Sequence, residues 1–112
     1  KKTNISVVTR KKKNKQKKIT FFNSISETAV SEKDLIINCT PLGSSLDKKY
    51  TNKTPIRNSL FKHINKKAVI FDLVYSPQIT MLSKISKKNK IQYFNGLEMN
   101  TMQANMALKI AF

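Results

Sequence analysis

Apolar positions in this chain fall into short runs separated by polar stretches marked with Pro and Gly, and one run organises the others. Leu35-Ile36-Ile37 is followed by Asn38-Cys39-Thr40-Pro41-Leu42-Gly43, so the apolar segment stops at small polar residues, Pro and Gly. Apolar residues on both alternations predict a central strand covered on both faces, as in a parallel sheet. The crevice at the carboxyl end of such a strand is where open α/β sheets bind ligands.

The remaining pattern supplies partners for that strand. Asn4-Ile5-Ser6-Val7-Val8-Thr9 and Ile19-Thr20-Phe21-Phe22 are strand-like through their β-branched and aromatic residues. A helical turn is expected within residues 26–33. Thr54-Pro55 reads as an N-cap followed by Pro in the first helical position, and Ile56, Leu60, Phe61 and Ile64 then recur at helical spacing. Residues 67–74 read as a second buried parallel strand ending at Tyr75-Ser76-Pro77. Thr80 caps a short helix that carries Met81, Leu82 and Ile85 inward. Ile91-Gln92-Tyr93-Phe94 is a last strand, leading to an Asn95-Gly96 turn whose Gly permits close backbone approach or a positive φ. Residues 99–112 form an amphipathic helix with Met99, Met102, Met106, Ala107 and Ile110 on one side. Strands alternating with helices predict an α/β fold with a doubly wound parallel sheet, in one domain over residues 1–112.

Charge changes the list of possible partners less than its size suggests. The chain of 112 residues has a formal net charge of +16, which by itself points to nucleic acid or an anionic membrane surface. Of the 22 basic residues, however, only Arg10 and Arg57 are Arg, and Lys, Asn and Ile together fill 43 positions. That is the imprint of a biased composition, and nucleic-acid readers prefer Arg and stacking aromatics. A basic nucleic-acid-binding module stands as a rival supported by charge alone. One Cys excludes a disulfide framework, no Cys/His cluster has metal-ligand spacing, and no run approaches a membrane span or a signal peptide. The expected setting is cytoplasmic, without metal or membrane.

Three positions carry candidate chemistry. The strand at residues 4–9 ends at Thr9-Arg10, followed by Lys11, Lys12 and Lys13, with no acidic residue before Glu27. At the end of the second strand of a dinucleotide-binding fold an acidic residue takes the ribose 2′-hydroxyl, whereas Arg accommodates a 2′-phosphate. Arg10 therefore favours NADP over NAD, because its guanidinium presents a planar, permanently charged fork to phosphate; a solvated Lys-rich turn is the plain alternative. Gln103 lies within an apolar stripe and must either bond internally or face a polar ligand. His63, the only His, reads as a surface or boundary residue.

Taken in order, Asn38-Cys39-Thr40-Pro41-Leu42-Gly43, then Phe71-Asp72-Leu73-Val74-Tyr75-Ser76-Pro77 with Thr80, then Asn95-Gly96-Leu97-Glu98-Met99 with Gln103-Ala104, resemble the carboxy-terminal half of the shikimate dehydrogenases. The resemblance implies a Rossmann-like sheet that lacks its first strand and the Gly-rich loop after it. It implies an NADP-dependent oxidoreductase that reversibly reduces 3-dehydroshikimate to shikimate in aromatic amino acid biosynthesis. By the same resemblance Thr9, Arg10, Lys11 and Asn14 would sit at the 2′-phosphate, although the family's Asn-Arg-Thr stretch is matched only at Arg10. Thr40, Pro41 and Leu42 would line the pyrophosphate and nicotinamide side, Leu73 and Gly96 would contact the nicotinamide end through backbone, and Met99 would pack on its ring. Tyr75 and Gln103 would reach substrate hydroxyls. The family's Lys and Asp acid–base pair belongs to an amino-terminal substrate domain not found here, so no catalytic residue is expected in this chain and the chain alone is expected to be neither active nor stably folded. A noncatalytic dinucleotide-binding remnant is the other reading.

Overall fold

The computed structural model describes residues 3–9, 19–22 and 24–111. Among the described residues the elements follow in the order β1 (Ile5–Val8), β2 (Ile19–Phe22), α1 (Glu27–Ser31), β3 (Leu35–Asn38), a 3-10 helix (Asn58–His63), β4 (Val69–Asp72), α2 (Met81–Lys88), β5 (Gln92–Asn95) and α3 (Gly96–Ala111). Every pairing is parallel, in two sheets of order β1-β2 and β3-β4-β5. The break falls between β1 and β3, the place left for the first strand in the expected order.

One face of the larger sheet holds the core. Ile36, Ile70 and Tyr93 share a row across β3, β4 and β5, and Val30, Ile56, Leu60, Phe61, Ile64, Ala68, Leu82 and Ile91 pack around Ile70. Each large aliphatic or aromatic side chain buried there contributes about 1.5–3 kcal/mol. Short capped helices bring these residues in. Ser26 accepts a hydrogen bond from the Ala29 amide at 3.1 Å, and Thr80 accepts one from the Ser83 amide at 3.0 Å, each satisfying an orphan donor of the first turn. The α2 helix ends in Lys87 and Lys88, which complement its dipole.

Its last turn closes with the Lys90 amide donating to the Lys87 carbonyl (3.1 Å) and the Ile91 amide donating to that of Ser86 (2.9 Å). This double closure places Lys90 at φ 58°, the left-handed position that Gly usually occupies.

Several expectations change on the structure. The organising strand is covered on one face only: Leu35 and Ile37 are 53% and 51% exposed, because β3 is an edge of its sheet and no described element lies over that side. The segment after Thr54-Pro55 is a six-residue 3-10 helix, not an α-helix. Its apolar residues are nevertheless inward, with Ile56, Leu60, Phe61 and Ile64 all buried. Gly96 does not form a turn with positive φ; it opens α3, whose first amides at Leu97 and Glu98 donate to the Asn95 side-chain oxygen. The stripe of α3 is bare, with Met102, Met106 and Ile110 64%, 61% and 85% exposed. Among the described residues no helix is long and apolar enough to cross a membrane.

Candidate functional site

The carboxyl ends of β3 and β4 open into a cleft of about 360 Å³. Thr40 and Pro41 after β3, and Leu73 and Tyr75 after β4, line it together with Cys39, Ser44, Leu46, Val74 and Ser76. The two loops are held side by side: the Ser45 amide donates to the Ser76 carbonyl at 2.8 Å, and the two serine hydroxyls lie 2.9 Å apart. Gly43, at φ +100°, turns the first loop back so that its amide donates to the Tyr50 carbonyl at 2.8 Å.

Gly96 belongs to the same end of the sheet. A Cβ placed there would lie 2.2 Å from the Leu73 carbonyl oxygen and 2.7 Å from the Leu73 carbonyl carbon, so only Gly lets the start of α3 meet the loop after β4. The close approach expected of this glycine is thus made to the chain itself.

The site residues expected from the sequence are only partly brought together. Thr40, Pro41, Leu73 and Tyr75 share the cleft, with Leu42 beside it and Gly96 against Leu73. Met99 is half-buried, whereas Gln103 is exposed and its side chain makes no hydrogen bond among the described residues; neither lines the cleft. Thr9 closes the end of the smaller sheet, its amide donating to the Phe22 carbonyl at 3.0 Å. Arg10, Lys11 and Asn14 lie outside the described residues. Among the described residues no group of three or more His, Cys, Asp or Glu could hold a metal. His63, half-buried, has its Nε2 3.5 Å from a Glu27 carboxylate oxygen without a hydrogen bond to it, and it does not line the cleft.

Beneath the cleft is a polar network that sequence reasoning missed. Asn38, Asp72 and Thr80 are buried at 3%, 0% and 2% exposure. The Asn38 Nδ2 group donates to Asp72 Oδ1 at 3.0 Å, and the Tyr93 hydroxyl donates to Asp72 Oδ2 at 2.8 Å. Burial pushes the Tyr93 hydroxyl well above its ordinary value, with the Asp72 carboxylate adding to the shift and a bond from Thr80 opposing it. The sequence shows only that Asn38 and Asp72 are the polar ends of otherwise apolar strands; the register that pairs them is what brings them together.

Comparisons with known proteins agree with this geometry. No protein-family model matches the chain. It is 34% identical over 116 residues to the shikimate dehydrogenase (NADP(+)) of Prochlorococcus marinus strain MIT 9312, covering 93% of this chain and 41% of that protein. A chorismate mutase/shikimate 5-dehydrogenase fusion protein from Clostridium acetobutylicum superposes with a TM-score of 0.68 at 29% identity, over 96% of this chain and 36% of the other. A shikimate dehydrogenase in complex with NADP+ superposes with a TM-score of 0.63 at 28% identity, over 83% and 29%. The chain therefore spans well under half the length of these relatives. Across the stretch it shares with them, the chain is a homologue of the shikimate dehydrogenases and matches one part of their length.

Proposed function

We propose that residues 1–112 are a single, partial NADP-binding domain serving the reversible, NADPH-dependent reduction of 3-dehydroshikimate to shikimate. The observation that carries this reading is the cleft at the carboxyl ends of β3 and β4, where Thr40, Pro41, Leu73 and Tyr75 converge from separate loops. It is the position at which parallel α/β sheets take ligands. In this reading Thr40, Pro41 and Leu42 face the pyrophosphate, the backbone of Leu73 and Gly96 meets the nicotinamide end, and Met99 packs on its ring. Tyr75 and Gln103 contact substrate hydroxyls, and the stretch at Thr9, Arg10, Lys11 and Asn14 holds the 2′-phosphate. The exposure of Tyr75, at 47%, leaves its hydroxyl available to a ligand. The partners are then a small-molecule substrate and an amino-terminal substrate domain, in the cytoplasm, with the Lys-rich surface simply solvated.

The test is to join the chain to the portion of the Prochlorococcus marinus enzyme that lies outside the matched stretch. Shikimate-dependent reduction of NADP+ is then followed by the absorbance of the reduced nicotinamide. Turnover that falls at least tenfold on Tyr75→Phe supports the reading. A folded hybrid that binds neither NADP+ nor shikimate overturns it.

A further inference from the structure

We propose that Asp72 is a positioning residue of the cleft, fixing which way the Asn38 amide points and, through that amide, the shape of the 40–42 turn. The inference rests on reading the cleft as a cofactor site, but the geometry behind it stands by itself. Asn38 uses its whole hydrogen-bonding capacity. Its Nδ2 donates to the Leu42 carbonyl at 3.2 Å and to Asp72 Oδ1 at 3.0 Å. Its Oδ1 accepts from the Thr40 amide at 3.0 Å and from the Thr40 hydroxyl at 2.6 Å. The Thr40 hydroxyl in turn accepts from the Leu42 amide at 3.2 Å.

A primary amide turned by half a revolution has nearly the same shape, so its partners alone select its orientation. Reversed, the Asn38 NH2 would confront the Thr40 amide, donor on donor, and its oxygen would confront the Leu42 carbonyl. Asp72 opposes that reversal because an acceptor stands where the reversed amide would present its oxygen. The carboxylate is itself held from every side. Oδ1 also accepts from the Val74 amide at 3.1 Å, while Oδ2 accepts from Tyr93 at 2.8 Å and from the Thr80 hydroxyl at 3.4 Å. One fully buried side chain therefore joins the loop after β3, the loop after β4, the cap of α2 and the middle of β5. With no exposed surface, Asp72 cannot touch a ligand; it acts through Asn38.

The requirement is for an acceptor facing Asn38, not for a negative charge. In Asp72→Asn the new oxygen can keep the bonds from Asn38 and Val74, while its NH2 faces two hydroxyls that can turn to accept. In Asp72→Ala this acceptor is lost and only the Leu42 carbonyl still accepts from the amide. Hydrogen exchange of the Asn38 side-chain NH2 and of the Thr40 amide, read by NMR on the hybrid described above, separates these cases. Asp72→Ala is expected to accelerate both by tenfold or more relative to the β4 backbone amides, and Asp72→Asn to keep both within threefold of wild type. Unchanged exchange in Asp72→Ala, or loss of protection in a folded Asp72→Asn, overturns the proposal. Where Asp72→Ala loses its protected β4 amides altogether, Asp72→Asn decides alone. Titration with NADPH in the hybrid described above gives the independent arm. If NADPH fails to move the Thr40 and Leu73 signals while the exchange pattern holds, the cofactor reading falls and the positioning role survives. If NADPH binds but the pattern fails, the reverse is concluded.

Discussion

Gly96→Ala is the perturbation for which the structure gives the sharpest magnitude. The added methyl would sit 2.2 Å from the Leu73 oxygen, 2.7 Å from its carbonyl carbon and 3.1 Å from its Cα. All three are backbone atoms, so no rotamer change can relieve the contact; the loop after β4 and the start of α3 must separate by roughly 1 Å to reach ordinary van der Waals distance. Overpacking in well-packed regions costs about 1–3 kcal/mol, and a contact against fixed backbone belongs at the upper end, about 3 kcal/mol. In urea, with the chain carried in the hybrid described above and an m-value of about 1.5 kcal/mol/M for its unfolding step, the midpoint should fall by ~2 M with the slope unchanged.

The loss should also disturb the site, since the atom displaced is the Leu73 carbonyl at the cleft wall. Circular dichroism against urea measures the stability, and the NMR positions of the Leu73 and Val74 amides report the local shift. A midpoint within about 0.3 M of wild type, a difference close to the error of such extrapolations, would refute the steric argument and with it the claim that this approach shapes the loop.

Other outcomes follow from particular atoms. Lys90→Gly relieves a left-handed position (φ 58°) at the end of α2 and should stabilise by about 1 kcal/mol, seen as a raised urea midpoint; no rise would mean the turn gains nothing from Gly. Tyr93 has its folded value raised above the ordinary 10.0, so the folded state holds its proton where the unfolded state releases it. Its contribution is complete below pH 10.0 and is lost as pH rises toward the folded value. Tyr93→Phe should therefore show a shallower alkaline fall in stability than wild type, and equal slopes would remove Tyr93 as the cause. Arg10→Asp in the hybrid should shift the kcat/KM preference from NADP+ toward NAD+, since a carboxylate repels the 2′-phosphate and suits a free hydroxyl; an unchanged ratio would mean another residue selects the cofactor.

Legibility in the sequence followed the length scale of each signal. Parallel strands and capped helices were readable because each is written in several residues: Val69-Ile70-Phe71 for β4, or Thr80 with Leu82 and Ile85 for α2. The loops lining the cleft were readable because Thr40-Pro41 and Tyr75-Ser76-Pro77 combine turn residues with an apolar strand just before them. The bare side of β3 was not readable, because Leu35 and Ile37 look the same whether or not an element covers them; exposure depends on strand order. The type of helix after Pro55 was not readable either: Leu60 and Phe61 reach the core from the 3-10 helix, and Ile56 and Ile64 from the residues flanking it, at a spacing that suits an α-helix equally well. Asn38 and Asp72 were hidden for the opposite reason, since each is a single polar residue whose meaning appears only when register puts the two side by side.

The cleft also sets the limit of what this chain can do. Reducing a ketone to an alcohol by hydride transfer requires a proton delivered to the substrate oxygen, and a positioned side chain, most often His, Lys, Asp or Glu, usually supplies it. Among the described residues none that lines the cleft is of these types: they are Cys39, Thr40, Pro41, Ser44, Leu46, Leu73, Val74, Tyr75 and Ser76. The Asp72 carboxylate has no exposed surface and accepts from four donors of its own. His63 lies beside Glu27 and does not line the cleft. A bound dinucleotide would therefore have its hydride poised with no His, Lys, Asp or Glu among these lining residues, and with the Tyr75 hydroxyl and the Cys39 thiol as the weaker acids there. The 112-residue chain by itself is expected to show no shikimate-dependent reduction of NADP+ above buffer, while the hybrid that adds the unmatched portion of the Prochlorococcus marinus enzyme regains turnover. Reaction by the chain alone, abolished by Tyr75→Phe, would refute this and make the Tyr75 hydroxyl the proton donor.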